Sequence, residues 1–598
     1  MKHRLSEEEL AVTKQIGQWK KQTNQMSFFR LLTFVIAFCC FMLGFFDKKT
    51  GAGVAGILFT LAFCVFVVLF QKRNAQLSYA LAKQEVIQED LARLGIKWKD
   101  FDDTGEEFLK IAAEKEIAAD LDLFGKASLF QFMNVAASKG GRQKLAAWLM
   151  AALGKEQTPL SFEEITLRQE AVLELQQKYA YSQELKTISK LFAKHNKKMD
   201  IVLSVEENDI LKNKKEGIGF GILAVGFLLA AYGTLILALL GHCSYVVPGV
   251  IFVVQFVVTQ ALDGIVAAKS GSAFSLIQYL CAYQPFLVAI QKGEVTSRML
   301  VSIKEEIGQD AEKGIASLKT IKEALLIRHN PLVYGLLSGL FSYNLFLYLA
   351  YTRWNDRYAE RINVWLDAVA LMEALLSLSV IGQLKETSCM PKLFECKEPK
   401  ISLTQMKHPL LVEEAMVDND ALLEGELRVI TGSNMSGKTT YLRCVGVNLV
   451  LAYAGACVCA SQAKLSMMRL FTSMRIKDDM SEGVSTFYAE VLRIKHMVDY
   501  SRTGQPMLAL IDEIFKGTNS ADRIVGAKGV LTALLKDWVI AMVSTHDFEL
   551  CNMEENSRVV NYHFDEYFED EKLKFEYRLK KGPCTTTNAL HILKMAGI

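Results

Sequence analysis

The sequence predicts a protein of the α plus α/β class, in which membrane helical hairpins accompany an all-α domain and a C-terminal α/β domain. Three long uncharged runs predict two hairpins, because about 20 apolar residues span the hydrocarbon core of a bilayer. A glycine-rich loop between an apolar strand and a helix, followed by two further apolar strands, predicts the α/β domain. The composition agrees with this division, since 51% of the 598 residues are hydrophobic and only 22% are charged.

Charge and cysteine content exclude several simple classes of protein. Lysine and arginine number 68 against 66 aspartate and glutamate residues, so the chain has no overall basic field for binding nucleic acid. Any such contact would need a local basic patch. The 12 cysteines have neither the spacing of a zinc site nor that of a disulfide framework. We therefore expect reduced cysteines that face the cytosol.

The first transmembrane hairpin is predicted over residues 27–75, after a cytosolic N-terminal segment at 1–26. Its apolar runs, 31–46 and 50–71, are separated only by the charged tripeptide 47–49. The second run is long enough to span a bilayer, and the first becomes so when the residues before it are included. The alternative for this hairpin is a buried helical pair in a soluble core.

The second hairpin is predicted over 217–262, where 46 consecutive residues include no aspartate, glutamate, lysine or arginine. Lysines at 212, 214 and 215 precede it and Lys269 follows it, whereas the turn between its helices is uncharged. The positive-inside rule therefore places both flanks in the cytoplasm. Together the hairpins predict a multi-pass membrane protein with about four helices and a cytoplasmic C-terminal domain.

A third apolar stretch, residues 331–351, is interrupted by Ser338, Ser342, Tyr343 and Asn344. We interpret it as a buried helix of the soluble part. A single extra crossing would put the two ends of the chain on opposite sides of the membrane, whereas four crossings keep both ends in the cytoplasm.

Residues 427–441, LRVITGSNMSGKTTY, have the pattern of strand, phosphate-binding P-loop and helix. Glycines permit a turn whose N–H groups surround phosphates, and the helix N-terminus adds partial positive charge. Lys438 is expected to reach the β and γ phosphates, and the Thr439 hydroxyl to bind Mg²⁺. The predicted ATP-binding residues are Gly432, Ser433, Asn434, Met435, Ser436, Gly437, Lys438, Thr439 and Thr440.

Two later apolar strands end in residues suited to ATP hydrolysis. The strand MLALIDEI ends in Asp512, predicted to hold Mg²⁺, and Glu513, predicted to orient or polarise the attacking water. The strand WVIAMVSTH ends in His546, predicted to contact the γ phosphate or the water. A histidine alone is more often a structural core residue, but its place directly after such a strand favours the catalytic role.

These motifs resemble the MutS mismatch-repair family. The resemblance is carried in order by KHPLL (407–411), TGSNMSGKTT (431–440), DDMSEGVSTFYAE (478–490), DEIFKGTNS (512–520), THDFEL (545–550) and GPCTTTNALHILKMAGI (582–598). Upstream, residues 120–149 and 165–175 are similar to the opening of the family's helical lever domain, and 365–379 to its close. The resemblance implies a membrane-anchored branch of this family.

The resemblance also implies a domain organisation and a dimeric site. A helical connector at 76–119 would lead into a lever domain at 120–395, which the second hairpin interrupts. An ABC-type P-loop ATPase domain would follow at 396–598. In the family, a signature loop of one subunit completes the ATP site of the other, so a homodimer is expected. The signature-loop residues here are Gly483, Ser485 and Thr486.

Three functions remain open at this point. The first is a membrane-tethered MutS-like ATPase that uses ATP and Mg²⁺ and acts on DNA, in mismatch repair or in sensing DNA structure. The second is an ATP-switched membrane scaffold that binds an unknown protein partner and never contacts DNA. The third is an ABC-type transporter, which the absence of an LSGGQ-type signature and of charged residues in the apolar runs disfavours. Basic groups at 139–144, 186–198 and 212–215 could contact either DNA phosphates or anionic lipid.

Overall fold

The protein is described here from a computed structural model, which is mostly helical and has two β-sheets in its C-terminal region. This confirms the predicted combination of an all-α region with a C-terminal α/β region. The structure describes residues 1–46, 50–111, 114–154, 161–196, 214–308, 310–412, 416–475, 486–515, 519–569 and 572–584.

In these segments the α-helices are α1 (Lys2–Phe46), α2 (Thr50–Leu94), α3 (Glu106–Ile111), α4 (Lys115–Asp120), α5 (Leu129–Met133), α6 (Lys139–Met150), α7 (Phe162–Gln177), α8 (Tyr179–Asn196), α9 (Lys214–Leu239), α10 (Val246–Lys292), α11 (Arg298–Ile307), α12 (Asp310–Leu326), α13 (Pro331–Phe341), α14 (Tyr343–Leu384), α15 (Lys438–Ala454), α16 (Thr486–Ser501) and α17 (Ser520–Leu534). The strands are β1 (Lys392–Phe394), β2 (Lys400–Met406), β3 (Asn419–Glu424), β4 (Leu427–Thr431), β5 (Gln462–Ser466), β6 (Arg469–Ser473), β7 (Met507–Asp512), β8 (Val539–Ser544), β9 (Val559–Glu569) and β10 (Lys572–Lys581).

Helices α1 and α2 form a long antiparallel pair at the start of the chain. Each has 45 residues, which at 1.5 Å per residue gives a length of roughly 68 Å. Polar contacts join the pair at one end, where Gln84 Nε2 donates to Thr13 Oγ1 at 2.9 Å. Towards the other end the contacts are aromatic, with the rings of Phe29 and Phe66 stacked 5.5 Å apart. The apolar halves of both helices leave large side chains exposed on their outer surface.

Among the described helices, five are long and apolar enough to cross a membrane. They are α1, α2, the segments Ile218–Leu239 and Val246–Asp263, and Glu360–Leu384. The last of these is 78% buried inside the protein, so its apolar residues already have protein neighbours. The other four coincide with the two hairpins predicted from the sequence.

The stretch 331–351, predicted as one buried helix, is two helices, and the prediction is wrong in this respect. The chain bends by 85° between α13 and α14. The bend falls at Ser342, whose φ of 51° is left-handed and therefore ends α13. Leu332 and Leu336 of α13 are 80% and 62% exposed, so this helix is apolar on its outside as well as its inside. The sequence interruption at Ser342 marks a break in the helix.

A buried carboxylate in the helical domain joins two of the segments that resemble a lever domain, 120–149 and 365–379, to α8. Glu373 of α14 is 1% exposed and accepts hydrogen bonds from Ala137 N at 3.2 Å, Ser138 N at 3.0 Å and Ser189 Oγ at 2.5 Å. Burial raises the pKa of this carboxyl above its usual value, although these donors oppose the shift. Residues separated by more than 180 positions thus share one buried hydrogen-bond network.

The α/β region has a six-stranded sheet in the order β10-β9-β4-β8-β7-β6 and a smaller sheet in the order β1-β5-β2-β3. In the larger sheet β9, β4, β8, β7 and β6 are parallel, and β10 pairs with β9 antiparallel. Alternate residues of its central strands belong to two separate hydrophobic cores. Helix α15 lies on one face, and α16 and α17 lie on the other. Burial on both faces explains why these strands are continuously apolar in sequence.

Candidate nucleotide-binding site

The loop at 432–437 connects β4 to α15 in the interior of the six-stranded sheet. Gly432 and Gly437 have φ of +144° and +112°, in the region that favours glycine. A Cβ at Gly432 would lie 2.9 Å from Ser436 Oγ and 3.0 Å from the carbonyl oxygen of Phe564. Glycine is therefore required for the tight turn that leads into the N-terminus of α15.

Lys438 begins α15, and its ammonium group folds back over the loop. Its Nζ donates to the carbonyl oxygens of Gly432 and Ser433, each at 2.7 Å. Burial lowers the pKa of Lys438, and the nearby carboxylates of Glu513 and Asp512 oppose that shift. The charge is held at the centre of the loop, which is where the lysine of a P-loop meets phosphate oxygens.

Thr439 and Asp512 provide a pair of oxygen ligands suited to Mg²⁺. Thr439 Oγ1 donates to Asp512 Oδ2 at 2.9 Å, and Ser544 Oγ donates to the other carboxylate oxygen of Asp512. Hydroxyl and carboxylate oxygens are the ligands that Mg²⁺ prefers, and the ion usually keeps several waters and phosphate oxygens as further ligands. The donor set therefore fits the ion, with Thr439 and Asp512 as the residues that would hold it.

Glu513 and His546 are brought together because β7 and β8 are adjacent parallel strands with Asp512 paired to Ser544. His546 Nε2 lies 3.1 Å from Glu513 Oε1 and 2.9 Å from Asn434 Oδ1. Glu513 has a left-handed φ of 54°, a conformation that costs about 1 kcal/mol or more outside glycine. Such strain is found most often at functional sites, so it supports the predicted role of Glu513.

The remaining loop residues surround one cavity of about 480 Å³. All of the predicted ATP-binding residues except Gly432 line it, as does Glu513. Their depths differ, since Ser436 is buried and Met435 is 84% exposed. The cavity is large enough for a small-molecule ligand.

A further part of the cavity lining could not be predicted from the sequence. It is largely apolar, which suits the face of an aromatic base. It consists of Met406, Leu411, Met416, Val417, Asn419, Phe564 and Tyr577. These residues come from three separate parts of the chain, and only the motif KHPLL at 407–411 signalled one of them.

His408 in that motif has a structural place beside the cavity. Its Nδ1 accepts a hydrogen bond from Leu410 N at 3.3 Å. Burial lowers the pKa of His408 to about 4, so the imidazole is neutral at pH 7. The neutral ring fixes the turn that carries Leu411 into the cavity wall.

The predicted signature loop is only partly within the structure. Gly483 and Ser485 lie outside the described residues, and Thr486 is the first residue of α16. The described residues beside this segment are Arg475, two positions after β6, and the first turn of α16. Its predicted role in a second subunit's site therefore stays a prediction.

The strand, loop and helix, the acidic pair at the end of β7 and the histidine after β8 define a P-loop protein of the α/β class. Residues 428–598 match the family model of MutS domain V. Residues 428–598 therefore belong to the MutS domain V family.

Curated relatives agree with this assignment. The chain is 30% identical over 267 residues to "DNA mismatch repair protein MutS 2" of Haloarcula marismortui, covering 40% of this chain and 28% of the relative. It is 28% identical over 307 residues to "DNA mismatch repair protein MutS" of Methanosarcina mazei, and the match covers 50% of this chain and 33% of that protein. It is also 27% identical over 349 residues to "DNA mismatch repair protein MutS" of Geobacillus thermodenitrificans, and the match covers 57% of this chain and 36% of that protein. The matched part thus spans about a third of the length of these relatives.

Proposed function

We propose that this protein is a membrane-anchored, Mg²⁺-dependent ATPase of the MutS type, which hydrolyses ATP at a composite homodimer site and couples it to DNA binding. The observation that carries the ATPase proposal is the convergence of Lys438, Thr439, Asp512, Glu513 and His546 around one loop. The names of the curated relatives, which are DNA mismatch repair proteins, support DNA as the ligand.

Each of these residues has a role that its contacts support. Lys438 and the N-terminus of α15 bind and neutralise the phosphates. Glu513 orients the attacking water, and His546 fixes the Glu513 carboxylate through Nε2. Thr439 and Asp512 would hold Mg²⁺, which would neutralise charge on the phosphate oxygens. Because little covalent chemistry is asked of the protein, positioning and electrostatics account for the rate.

The arrangement of polar groups in α9, α10, α13 and the start of α14 supports membrane anchoring. Gln255 Nε2 donates to Ser342 Oγ at 3.2 Å, and Asn344 Nδ2 donates to the carbonyl oxygen of Thr259 at 2.8 Å. All four residues are fully buried. The exposed residues of the same helices are apolar, and they include Ile222, Leu229, Leu237, Val253, Val257, Leu332 and Leu336. Polar groups inside and apolar groups outside are expected in lipid, where buried polar side chains pair with one another.

Continuous helices connect this bundle to the rest of the protein. Helix α10 has 47 residues and α14 has 42, which at 1.5 Å per residue gives roughly 70 Å and 63 Å. The C-terminal part of α14 is the buried centre of the helical domain, and its end leads directly into β1 of the α/β region. A movement of the ATPase domain would therefore be transmitted to the membrane bundle along stiff elements.

Membrane anchoring predicts that the full chain stays in the membrane pellet after extraction with alkaline carbonate. Leu229→Arg should reduce the integrated fraction, because a charge on the lipid-facing side of a helix costs about 3 kcal/mol at the bilayer centre. Leu173→Arg is the matched control, since Leu173 is exposed on α7 of the helical domain. Release of the unmodified chain into the supernatant would refute the anchor.

A second candidate function is an ATP-switched scaffold that does not bind DNA. It is favoured by the contacts that several basic residues make within the protein. Arg142 donates twice to Asp103, both at 2.7 Å, and Lys144 lies 3.2 Å from Asp367. Lys186 is 2% exposed and donates to Gln383. Several groups that the sequence offered as phosphate contacts are thus already paired within the protein.

The experiment that separates the two candidates measures ATP turnover of the full chain in nanodiscs across a salt series. Duplex, mismatched and branched DNA are added in turn, with Glu513→Gln as the inactive control. For a DNA-coupled ATPase, we expect turnover that rises with DNA and an apparent affinity for DNA that weakens with salt, because binding releases counterions. Turnover that is indifferent to every DNA would instead support the scaffold and direct the search to protein partners.

A further inference from the structure

The turn after α4 carries two aspartates that reach from the helical domain into the α/β domain. Asp120 is the last residue of α4 and is fully buried, and Asp122 follows with a left-handed φ of 51°. Between them Leu121 packs against α15, where a Cβ on Gly446 would lie 2.7 Å from Leu121 Cδ2. The turn therefore packs closely against α15, the helix that follows the P-loop.

Asp120 binds the residues on both sides of the segment 476–485. Its carboxylate accepts hydrogen bonds from Thr472 Oγ1 at 2.7 Å, Met474 N at 3.0 Å and Arg475 N at 2.9 Å. Arg493 of α16 lies 3.5 Å from the same carboxylate and donates to the carbonyl oxygen of Arg475 at 3.1 Å. One buried side chain thus fixes the exit from β6 and contacts the helix that follows the segment.

Asp122 is shared by two arginines of the α/β domain. Arg475 contacts both of its carboxylate oxygens, at 2.5 and 3.1 Å, and Arg443 of α15 lies 3.3 Å from Oδ2. Arg443 stands one helical turn after Thr439, the predicted Mg²⁺ ligand. Burial lowers the pKa of Arg443, the charge of Arg475 lowers it further, and Asp122 opposes both effects.

Backbone contacts reinforce the same junction. Leu470 N of β6 donates to the carbonyl oxygen of Ala152 at 2.9 Å, and Gly154 N donates to the carbonyl oxygen of Leu470 at 2.8 Å. The helical domain therefore adds a short parallel bridge along the outer edge of β6. Asp120 and Asp122 lie at the end of this edge that leads towards residue 476.

We propose that Asp120 and Asp122 are positioning residues for the ATP site, which set the P-loop helix and both flanks of segment 476–485 from the helical domain. This inference rests on the proposed ATPase function. Asp122 neutralises the repulsion between Arg443 and Arg475, and without its charge the two guanidinium groups move apart. Asp122 belongs to the helical domain, whereas Arg443 and Arg475 belong to the α/β domain. Their contact therefore transmits nucleotide-induced movement between the two domains in both directions.

The test uses the full chain in nanodiscs, with hydrogen exchange measured by mass spectrometry with and without a slowly hydrolysed ATP analogue. In the unmodified protein we expect the analogue to slow exchange in the P-loop, 432–440, and in the turn region, 115–133. In Asp122→Asn the P-loop should keep its protection while the turn region loses its response. We also expect kcat to fall about tenfold, the scale of coupling between contacting residues, with a smaller change in KM.

Two further variants separate positioning from a simple loss of stability. Arg443→Gln should lose the response in the same way, whereas Arg443→Lys keeps the charge and should retain most of it. Glu170→Gln, which removes the paired carboxylate of Arg298 within the helical domain, is the control and should change neither region. Asparagine tolerates the left-handed backbone of position 122, so Asp122→Asn tests the charge rather than the turn.

The outcomes are distinct. A turn region that responds equally in the unmodified protein, Asp122→Asn and Arg443→Gln would overturn the inference, and so would a turn region that never responds although the P-loop is protected. If the P-loop of the unmodified protein gains no protection from the analogue, the proposed ATPase function itself fails, and this inference falls with it.

Discussion

Glu513→Gln is expected to lower kcat for ATP hydrolysis by about 100-fold or more, the usual scale for removing a residue that activates water. The amide keeps the shape of the carboxylate, so the strained backbone at this position is unchanged, but it cannot accept a proton or attract the water as strongly. ATP affinity should be preserved, because the predicted phosphate contact of Lys438 and the predicted Mg²⁺ ligands Thr439 and Asp512 are unchanged. Single-turnover hydrolysis and equilibrium binding of a fluorescent ATP analogue measure the two quantities separately.

Glu549→Gln is the matched control for this prediction. Glu549 lies three residues after His546 and is exposed, so the same change in charge is made close to the site without entering it. Its turnover should equal that of the unmodified protein. Retention of more than about a tenth of the activity in Glu513→Gln would contradict the assignment of this residue, because general-base contributions are rarely that small.

The α/β domain could be predicted in detail because its chemistry is local in sequence. The loop at 432–437 lies between a strand and a helix, and the positions of Asp512 and His546 at strand ends follow from apolar runs that stop there. Since the carboxyl ends of adjacent parallel strands meet at one edge of a sheet, the motifs alone were enough to bring these residues together. The strained φ of Glu513 gave no sequence signal.

Contacts between distant segments could not be predicted in the same way. Asp120 and Thr472 are separated by 352 positions, and no pattern in either segment indicates that they meet. The apolar wall of the cavity is a similar case, because Met406 and Tyr577 are ordinary hydrophobic residues in sequence. The break at Ser342 was missed for a different reason: the polar residues around it were interpreted as interruptions within one helix, and only the backbone shows that the chain bends there.

The buried polar contacts of the proposed membrane bundle could not be predicted from sequence patterns either. Gln255 and Thr259 belong to a run without charged residues, and hydropathy treats them as small interruptions. Gln255 Nε2 donates to Ser342 Oγ, and Asn344 Nδ2 donates to the backbone carbonyl oxygen of Thr259. These bonds matter because an unpaired amide N–H in an apolar environment costs several kcal/mol. The same contacts join α10 of the second predicted hairpin to the start of α14, so the 331–351 stretch packs against that hairpin.

Lys438→Met is expected to weaken ATP binding by about 100-fold, or roughly 2.7 kcal/mol. The methionine side chain has a similar length but carries no charge, so the loss reports the electrostatic contact with the phosphates. That contact is strong because Lys438 is only 6% exposed and little water screens it. Removing the ammonium also leaves the carbonyl oxygens of Gly432 and Ser433 without their donor, which loosens the loop.

Equilibrium binding of a fluorescent ATP analogue to the full chain in nanodiscs measures this loss. Lys464→Met provides the control, since Lys464 is exposed on β5 of the smaller sheet and makes the same change in total charge. Affinity in Lys438→Met within threefold of the control would mean that the ammonium does not contact the nucleotide, and that the hydrogen bonds it makes to the loop are its main role. If affinity falls in Lys438→Met and not in Lys464→Met, the loss comes from the position of the removed charge and not from the change in total charge. The loop would then be identified as the phosphate site.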